Sequence, residues 1–257
     1  MLISTFNVNS LKSRYDIVKE LLLIHKPDFL LLQEIKGNSD ETHQLLDSFK
    51  EIGYYSYSLL QKTYNGVAIL SKDPCEIIDS NLPNYLDEQA RLITVKHENL
   101  IIVNAYMPNG NPLLSDKYSY KLQWTEHFYQ YIKMLLQKYE HVVIGGDFNI
   151  APTDNDVYSM STMKGDAIVQ VESRHLYQKI INLGFLDSVN FKYGQQNNIY
   201  TWWDYRGDSF TKNNGARIDH ILLSSYLSDK YRDVYIDKNA RIKEKPSDHG
   251  AVFCLIS

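Results

Sequence analysis

Apolar and polar positions follow one another along this chain in an order that occurs twice. Residues 2–8 read as a strand, and SLKSRYDIVKELLLIH (10–25) then places Ile17, Val18, Leu21, Leu22 and Ile24 at helical spacing, with Ser13 and Asp16 as a capping pair. Pro27 ends that helix. The run DFLLLQ (28–33) is apolar through its middle, the pattern of a strand covered on both faces, and it stops at Glu34. The order returns in LIIVNAYM (100–107), a strand, and SDKYSYKLQWTEHFYQYIKMLLQKY (115–139), a long helix with Trp124, Phe128, Ile132 and Leu135 on one face. HVVIGG (141–146) is then a strand that delivers Asp147. Two strand-helix-strand units, each ending in a carboxylate, predict two similar halves stacked face to face.

Shorter alternating runs lie around these units: GVAILS (66–71), ARLITVKH (90–97), IYTWWDY (199–205), RIDHILLS (217–224) and AVFCLI (251–256). They suit antiparallel sheets. Further helices are predicted at 40–50, closed by Gly53, and at 173–183, opened by Ser173 and closed by Gly184. Purely parallel doubly wound proteins do not carry so many hairpin-like runs. The expected class is therefore α/β, a sandwich of two packed mixed β-sheets flanked by helices, with residues 1–257 forming one domain.

Composition narrows the picture in three ways. A formal charge of −4 rules out a chain-wide basic coat but leaves room for a local basic face. Two cysteines, Cys75 and Cys254, are too few for a disulfide framework and stand in no Cys/His cluster, which fits a reducing compartment. The start lacks the features of a secretory signal, and no apolar run reaches the roughly 20 residues that span a bilayer. The expectation is a cytoplasmic monomer without membrane partners, nucleoid-associated if its source is bacterial.

Chemistry concentrates where apolar strands end. Asn7 and Asn9, Glu34, Tyr106 and Asn109, Asp147 and Asn149, Asp219, and Asp248 with His249 all follow or open such runs. Oxygen-rich side chains without cysteine suit a hard cation, and Mg²⁺ in particular takes one or two carboxylates and completes its shell with water and phosphate oxygens. A phosphate ester is the natural substrate. Taken singly, each residue has a plainer reading: Asx turns for the asparagines and Asp147, a solvated strand end for Glu34, packing for Tyr106, a hydrogen-bonded histidine for His249. Only the combination favours chemistry.

That combination resembles the exonuclease III family of apurinic/apyrimidinic endonucleases, within the superfamily that includes deoxyribonuclease I, inositol polyphosphate 5-phosphatases and sphingomyelinases. The marks are FNVNSLKSR (6–14), LLQEIK (31–36), NAYMPNG (104–110), GGDFNIAPTD (145–154), TWWDYR (201–206), GARIDHIL (215–222) and KPSDH (245–249), in the family's order. The resemblance implies a four-layered α/β sandwich and a DNA-repair hydrolase that needs Mg²⁺, with Mn²⁺ as an alternative. It would cleave duplex DNA on the 5′ side of abasic sites and act as a 3′-exonuclease and 3′-end-cleaning enzyme at the same site. Phosphatases and lipases of the superfamily usually carry histidine where this chain has Tyr106, which points to the DNA-repair branch.

By the same resemblance Glu34 is the principal metal ligand, with Asn7 close by, and the wider set adds Asp147, Asn149, Asp248 and His249. Asp147 orients or deprotonates the attacking water, Asn149 bonds the phosphate, and Asp219 pairs with His249; Tyr106 binds the phosphate or helps the leaving oxygen. DNA contacts fall to Asn9, Arg14, Asn109, Trp202, Arg217 and Ile218, and Lys12, Lys36, Arg91, Arg174, Arg206, Lys212, Lys243 and Lys245 lie in or near the same segments. One departure stands out: where the family commonly has a large apolar residue, often Trp, this chain has Ala216. A looser sugar pocket is one expectation, compensation by Trp202 or a neighbour the other. The competing functions are an inositol-phosphate or lipid phosphatase of the superfamily and a catalytically silent DNA-binding relative.

Overall fold

Both strand-helix-strand units form, and each seeds its own sheet. In the computed structural model, which describes residues 1–257 except 84, 195 and 197, the first half runs β1 (Leu2–Asn7), α1 (Leu11–His25), β2 (Phe29–Gln33), α2 (Asp40–Ser48), β3 (Tyr55–Leu59) and β4 (Val67–Ser71). There follow β5 (Glu76–Ser80), β6 (Leu92–His97), β7 (Leu100–Tyr106), α3 (Asp116–Lys138) and β8 (His141–Asp147). The remainder is α4 (Met160–Met163), α5 (Val171–Ile181), β9 (Leu186–Asp187), α6 (Ser188–Tyr193), β10 (Asp219–Leu223), α7 (Ser225–Ser228), β11 (Tyr231–Asp237) and β12 (Ala251–Ile256).

The strands make two six-stranded sheets, ordered β11-β12-β1-β2-β4-β3 and β5-β6-β7-β8-β10-β9. Read in those orders, the sheets have the same pairing pattern: only the third and fourth strands, β1 with β2 and β7 with β8, are parallel. A parallel pair needs a crossover, and α1 and α3 supply it. In the first sheet β12 lies against β1, with Leu2 opposite Leu255.

Period two explains why the central strands read as unbroken apolar runs. Leu31 of β2 points between the sheets, where it joins Ile3, Ile69, Ile102, Val143 and Ile221, whereas Leu30 and Leu32 face outward onto Val18 and Leu22 of α1. On the second sheet Ile101, Val103, Val142 and Ile144 face Trp124, Phe128 and Ile132 of α3. Both faces of each sheet are therefore covered. One polar bridge crosses the dry space between the sheets: Gln33 Nε2 donates to Asn104 Oδ1 at 2.7 Å and to Thr5 Oγ1 at 2.9 Å. The Asn104 amide donates in turn to the carbonyls of Leu32 and Ala68.

Several expectations are corrected. The segment 199–205 is not a strand; the Trp202 backbone makes only isolated bridges, to Ala216 and His249, because its polar groups stitch loops together instead of a ladder. Helix α1 starts at Leu11, and the Ser10 and Leu11 amides donate to the carbonyls of Glu34 and Ile35, so Ser13 and Asp16 have no capping role. Helix α5 starts at Val171, and Ser173 is buried with its hydroxyl on the Ala167 carbonyl. Among the described residues no helix is long and apolar enough to cross a membrane.

Gly146 is the tightest point of the parallel pair β7/β8. It lies at φ +150°, and a Cβ there would stand 1.9 Å from the Ala105 carbonyl oxygen. Gly146→Ala is expected to cost about 3 kcal/mol or more, through backbone strain and overpacking together. A urea unfolding midpoint equal to that of the parent protein would contradict this account of the strand pair.

Candidate active site

Parallel strands bring their carboxyl ends to one edge, so Asn7 at the end of β1, Glu34 just past β2, Tyr106 at the end of β7 and Asp147 at the end of β8 arrive together. The antiparallel β10 begins at that edge, which sets Asp219 opposite Asp147 in the ladder. The loop before β12 supplies Asp248 and His249. Glu34, Asn9 and Asn149 are non-glycine residues with φ of +55°, +46° and +51°, conformations that concentrate at functional sites because the surrounding fold must hold them.

One amide joins the contributions of the two sheets. Asn7 Nδ2 donates to Glu34 Oε1 and to Asp147 Oδ2, both at 2.9 Å, while its Oδ1 accepts from the Asn9 backbone at 3.0 Å. Tyr106 donates to Glu34 Oε1 at 2.9 Å, and Lys36 lies 2.6 Å from Oε2. Arg91 stacks over the Tyr106 ring at 4.9 Å and bonds its carbonyl. Asp248 accepts from Asn9 Nδ2 at 2.9 Å and from Trp202 Nε1 at 3.0 Å.

His249 Nδ1 and Asp219 Oδ2 are 2.9 Å apart, and the other ring nitrogen lies 3.8 Å from Asp147 Oδ2. Thr201 Oγ1 accepts the Ile218 and Asp219 amides, fixing that carboxylate's backbone. Ser247 bonds the Asn7 carbonyl at 2.6 Å and receives the His249 amide, tying the loop to β1.

The electrostatics follow from burial among like charges. Burial pushes the Asp147 carboxyl up to about 7, with the Asp219 charge adding and the His249 charge opposing. Burial alone would favour a neutral His249, but Asp219 beside Nδ1 outweighs it and holds the ring up at about 10. Tyr106 is pushed well above its ordinary value by burial and by Glu34. Burial drives Lys121 down to about 7 against the pull of Asp147 and Asp166. Its Nζ nevertheless reaches the carbonyls of Pro108, Asn109 and Asn149, and only an ammonium has three hydrogens for three acceptors.

The donor set fits a hard divalent cation. Asp147 and Asp219 bring carboxylate oxygens within 4.8 Å of each other and of the His249 ring, which Asp219 holds cationic so that it balances charge instead of ligating, and the buried Asp219 Oδ1 has no hydrogen-bond partner. Glu34 brings a further carboxylate, at present held by Lys36. Asn7, as oriented, turns hydrogens toward both carboxylates and so holds them in place.

These groups open onto a cavity of about 200 Å³. Glu34, Tyr106, Asp147, Asn149, Asp248 and His249 form its polar wall, and Trp202, Ile218 and Ile168 its apolar one. Asn109 lies on the rim and donates to Asn149 Oδ1 at 3.2 Å. Ile168 and Asp166 were missed in the sequence; they sit in an irregular stretch with neither periodicity nor motif.

Other expected residues are placed differently. Arg217, expected on the DNA surface, is 3% exposed and clasped by Asp156 and Asp187, each at 2.6 Å, so its guanidinium is already spent on a buried ion pair. Arg14 reaches inward to the carbonyls of Asn9 and Pro246 and to the Tyr205 hydroxyl. Ala216 is wholly buried beside Val157, Met163 and Ile168, beneath the cavity rather than in its wall. Lys12, Lys36, Arg174, Arg206, Lys212 and Lys243 each have an acidic partner, whereas Lys245 is exposed without one among the described residues and Arg91 bonds the neutral Gln89.

Comparison with known proteins agrees with this geometry. The model of the endonuclease/exonuclease/phosphatase family matches residues 4–249. Exodeoxyribonuclease III of Haemophilus influenzae is 32% identical over 265 residues, covering 97% of each chain. Among solved structures, the 3′ phosphatase NExo from Neisseria, bound to a product DNA hairpin, superposes with a TM-score of 0.95 at 35% identity, over 100% of this chain and 99% of the other. An AP endonuclease from Archaeoglobus fulgidus gives 0.93 at 36% identity, over the same shares. Strand ends that gather carboxylates, amides and one paired histidine, and a likeness that runs the length of the chain, agree on one conclusion: the protein belongs to the endonuclease/exonuclease/phosphatase family, in the branch of exodeoxyribonuclease III and the AP endonucleases.

Proposed function

We propose that the protein is a Mg²⁺-dependent DNA-repair phosphodiesterase that acts as a monomer, cuts duplex DNA on the 5′ side of abasic sugars and processes 3′ ends. The observation that carries this reading is a polar wall of paired acid and base facing an apolar wall of Trp202, Ile218 and Ile168 across one small cavity. The polar wall suits a phosphate. The apolar wall suits a sugar that has lost its base, and an abasic site is among the nucleotides that cost least to unstack.

A divalent cation among Glu34, Asp147 and their neighbours would neutralise phosphate charge and acidify water. Asp147, with a carboxyl titrating near neutrality, holds the attacking water and takes its proton. His249, kept cationic by Asp219, presents its other ring nitrogen to a phosphate oxygen. Asn149 donates to the same phosphate as charge builds. Tyr106 stands beside Glu34, with its phenol kept protonated and able to donate.

The direct test incubates the protein with a duplex bearing an abasic analogue, an undamaged duplex with recessed 3′ ends, and an inositol polyphosphate, each with Mg²⁺ and with chelator. Metal-dependent cleavage of the abasic duplex is expected; hydrolysis of the inositol polyphosphate alone would overturn the reading. Glu34→Ala should lose most activity and regain part of it at high Mg²⁺. His249→Ala should lose about 10²–10³ in rate, the usual effect of removing one charge-stabilising donor, with no recovery at high Mg²⁺.

The raised Asp147 and His249 values fix a sign for stability. Both groups bind protons more tightly when folded than at their ordinary 3.8 and 6.5. The stability they contribute at low pH is lost as pH rises through about 7 and then about 10. Chelator-treated protein should therefore melt at falling temperature between about pH 5 and 9, and Mg²⁺ should restore more at the alkaline end. A flat profile, or a larger Mg²⁺ gain in acid, contradicts the assignment.

Ala216→Trp adds a large side chain at a wholly buried position. It should cost about 1–3 kcal/mol by overpacking and displace the Trp202 wall, lowering abasic cleavage. Sharper discrimination between abasic and undamaged duplexes in a folded variant would show that Ala216 borders the pocket after all.

A further inference from the structure

The crossover helix α3 sends one cation beneath the active-site edge. Lys121 is wholly buried, and its ammonium meets the carbonyls of Pro108 and Asn109 at 3.1 and 3.2 Å and that of Asn149 at 2.6 Å. The first two belong to the loop after β7 and the third to the loop after β8. These loops share a second link, the Asn109 to Asn149 side-chain bond. The Lys121 stem is fixed as well: Gly110, at φ +89°, lies so close that a Cβ there would meet Lys121 Cδ at 2.5 Å. The other half of the molecule has a counterpart in Arg14 of α1, which joins the Asn9 carbonyl to that of Pro246, just before Asp248 and His249.

We propose that Lys121 is a positioning residue of the nuclease site: from the core, it locks the loops of Asn109 and Asn149 at the spacing in which both amides face the phosphate. It touches no substrate. A buried ammonium among three carbonyls is a stiff joint, because any loop shift leaves a donor or an acceptor unpaired in a dry environment. Crossover helices thus do two jobs, setting strand order and holding the loops those strands emit.

The test is steady-state digestion of a duplex with recessed 3′ ends in Mg²⁺. Lys121→Met keeps the apolar stem and deletes the donors; kcat should fall about 10²-fold, as for a misplaced catalytic group, with KM within about threefold of parental. In an Asn109→Ala, Asn149→Ala background the same change should cost no more than about threefold, since both groups it positions are gone. A general structural role predicts equal losses in both backgrounds. That result, or parental kcat in folded Lys121→Met, overturns the proposal. If circular dichroism shows Lys121→Met unfolded, Lys121→Gln, which retains one amide donor, carries the same comparison. The parent protein is run in every series, and its failure to digest the duplex counts against the nuclease reading rather than against Lys121.

Discussion

The hydrogen bond from Gln33 to Asn104 is the constraint on which the site depends. Each sheet owns half of the chemistry, and apolar faces alone tolerate small slips between stacked sheets. A buried amide pair does not, because a slip strands its polar atoms away from water. The bridge lies one residue before Glu34 and two before Tyr106, so it fixes the two sheets where their strands hand over to the site. Asn7 repeats the device behind the cavity wall, with one amide shared between a carboxylate from each sheet. Without that alignment Glu34 and Asp147 would be two unrelated acids on neighbouring strand ends.

Much of this was legible in the sequence. Unbroken apolar runs flanking a helical stretch announce a parallel pair, and the residue that ends such a run lies at the carboxyl edge; Glu34 and Asp147 were readable for that reason. Asp219 and His249 were legible through their motifs, though their 2.9 Å pairing joins segments far apart in the chain. Arg217 shows where pattern reading fails. In sequence it is a cation within a functional motif, and only the fold reveals that Asp156 and Asp187 meet it in the interior. Lys121 fails in the opposite sense, since a lysine on an amphipathic helix reads as solvated until three carbonyls converge on it. IYTWWDY (199–205) reads as a strand because its aromatic alternation is real, yet its backbone bonds serve loop crossings. Ile168 and Asp166 reach the cavity by an irregular path that no periodicity encodes.

Charge is used economically. The chain is acidic overall, and several cations of the site-forming segments are held by carboxylates, whereas exposed lysines such as Lys62, Lys117 and Lys245 have no acidic partner among the described residues. Attraction for a polyanion therefore falls to the exposed lysines without acidic partners, whereas the acidic cleft attracts a divalent cation. Asp147 and Asp219 share a buried space in which two ionised carboxylates repel, and the His249 cation partly relieves that repulsion. The remaining imbalance is a standing demand for positive charge, and it lies where a phosphate must be neutralised.

The pairing of β1 with β12 has a consequence for how the molecule comes into being. Asn7 is made early and Asp248 and His249 late, and the strand that carries the late loop is the one that completes the sheet around β1. A chain still emerging from the ribosome lacks that strand, and with it the histidine opposite Asp147. Order of synthesis thus separates the two parts of the site, Asn7, Glu34 and Asp147 coming from earlier segments than the Asp219 and His249 pair that faces them.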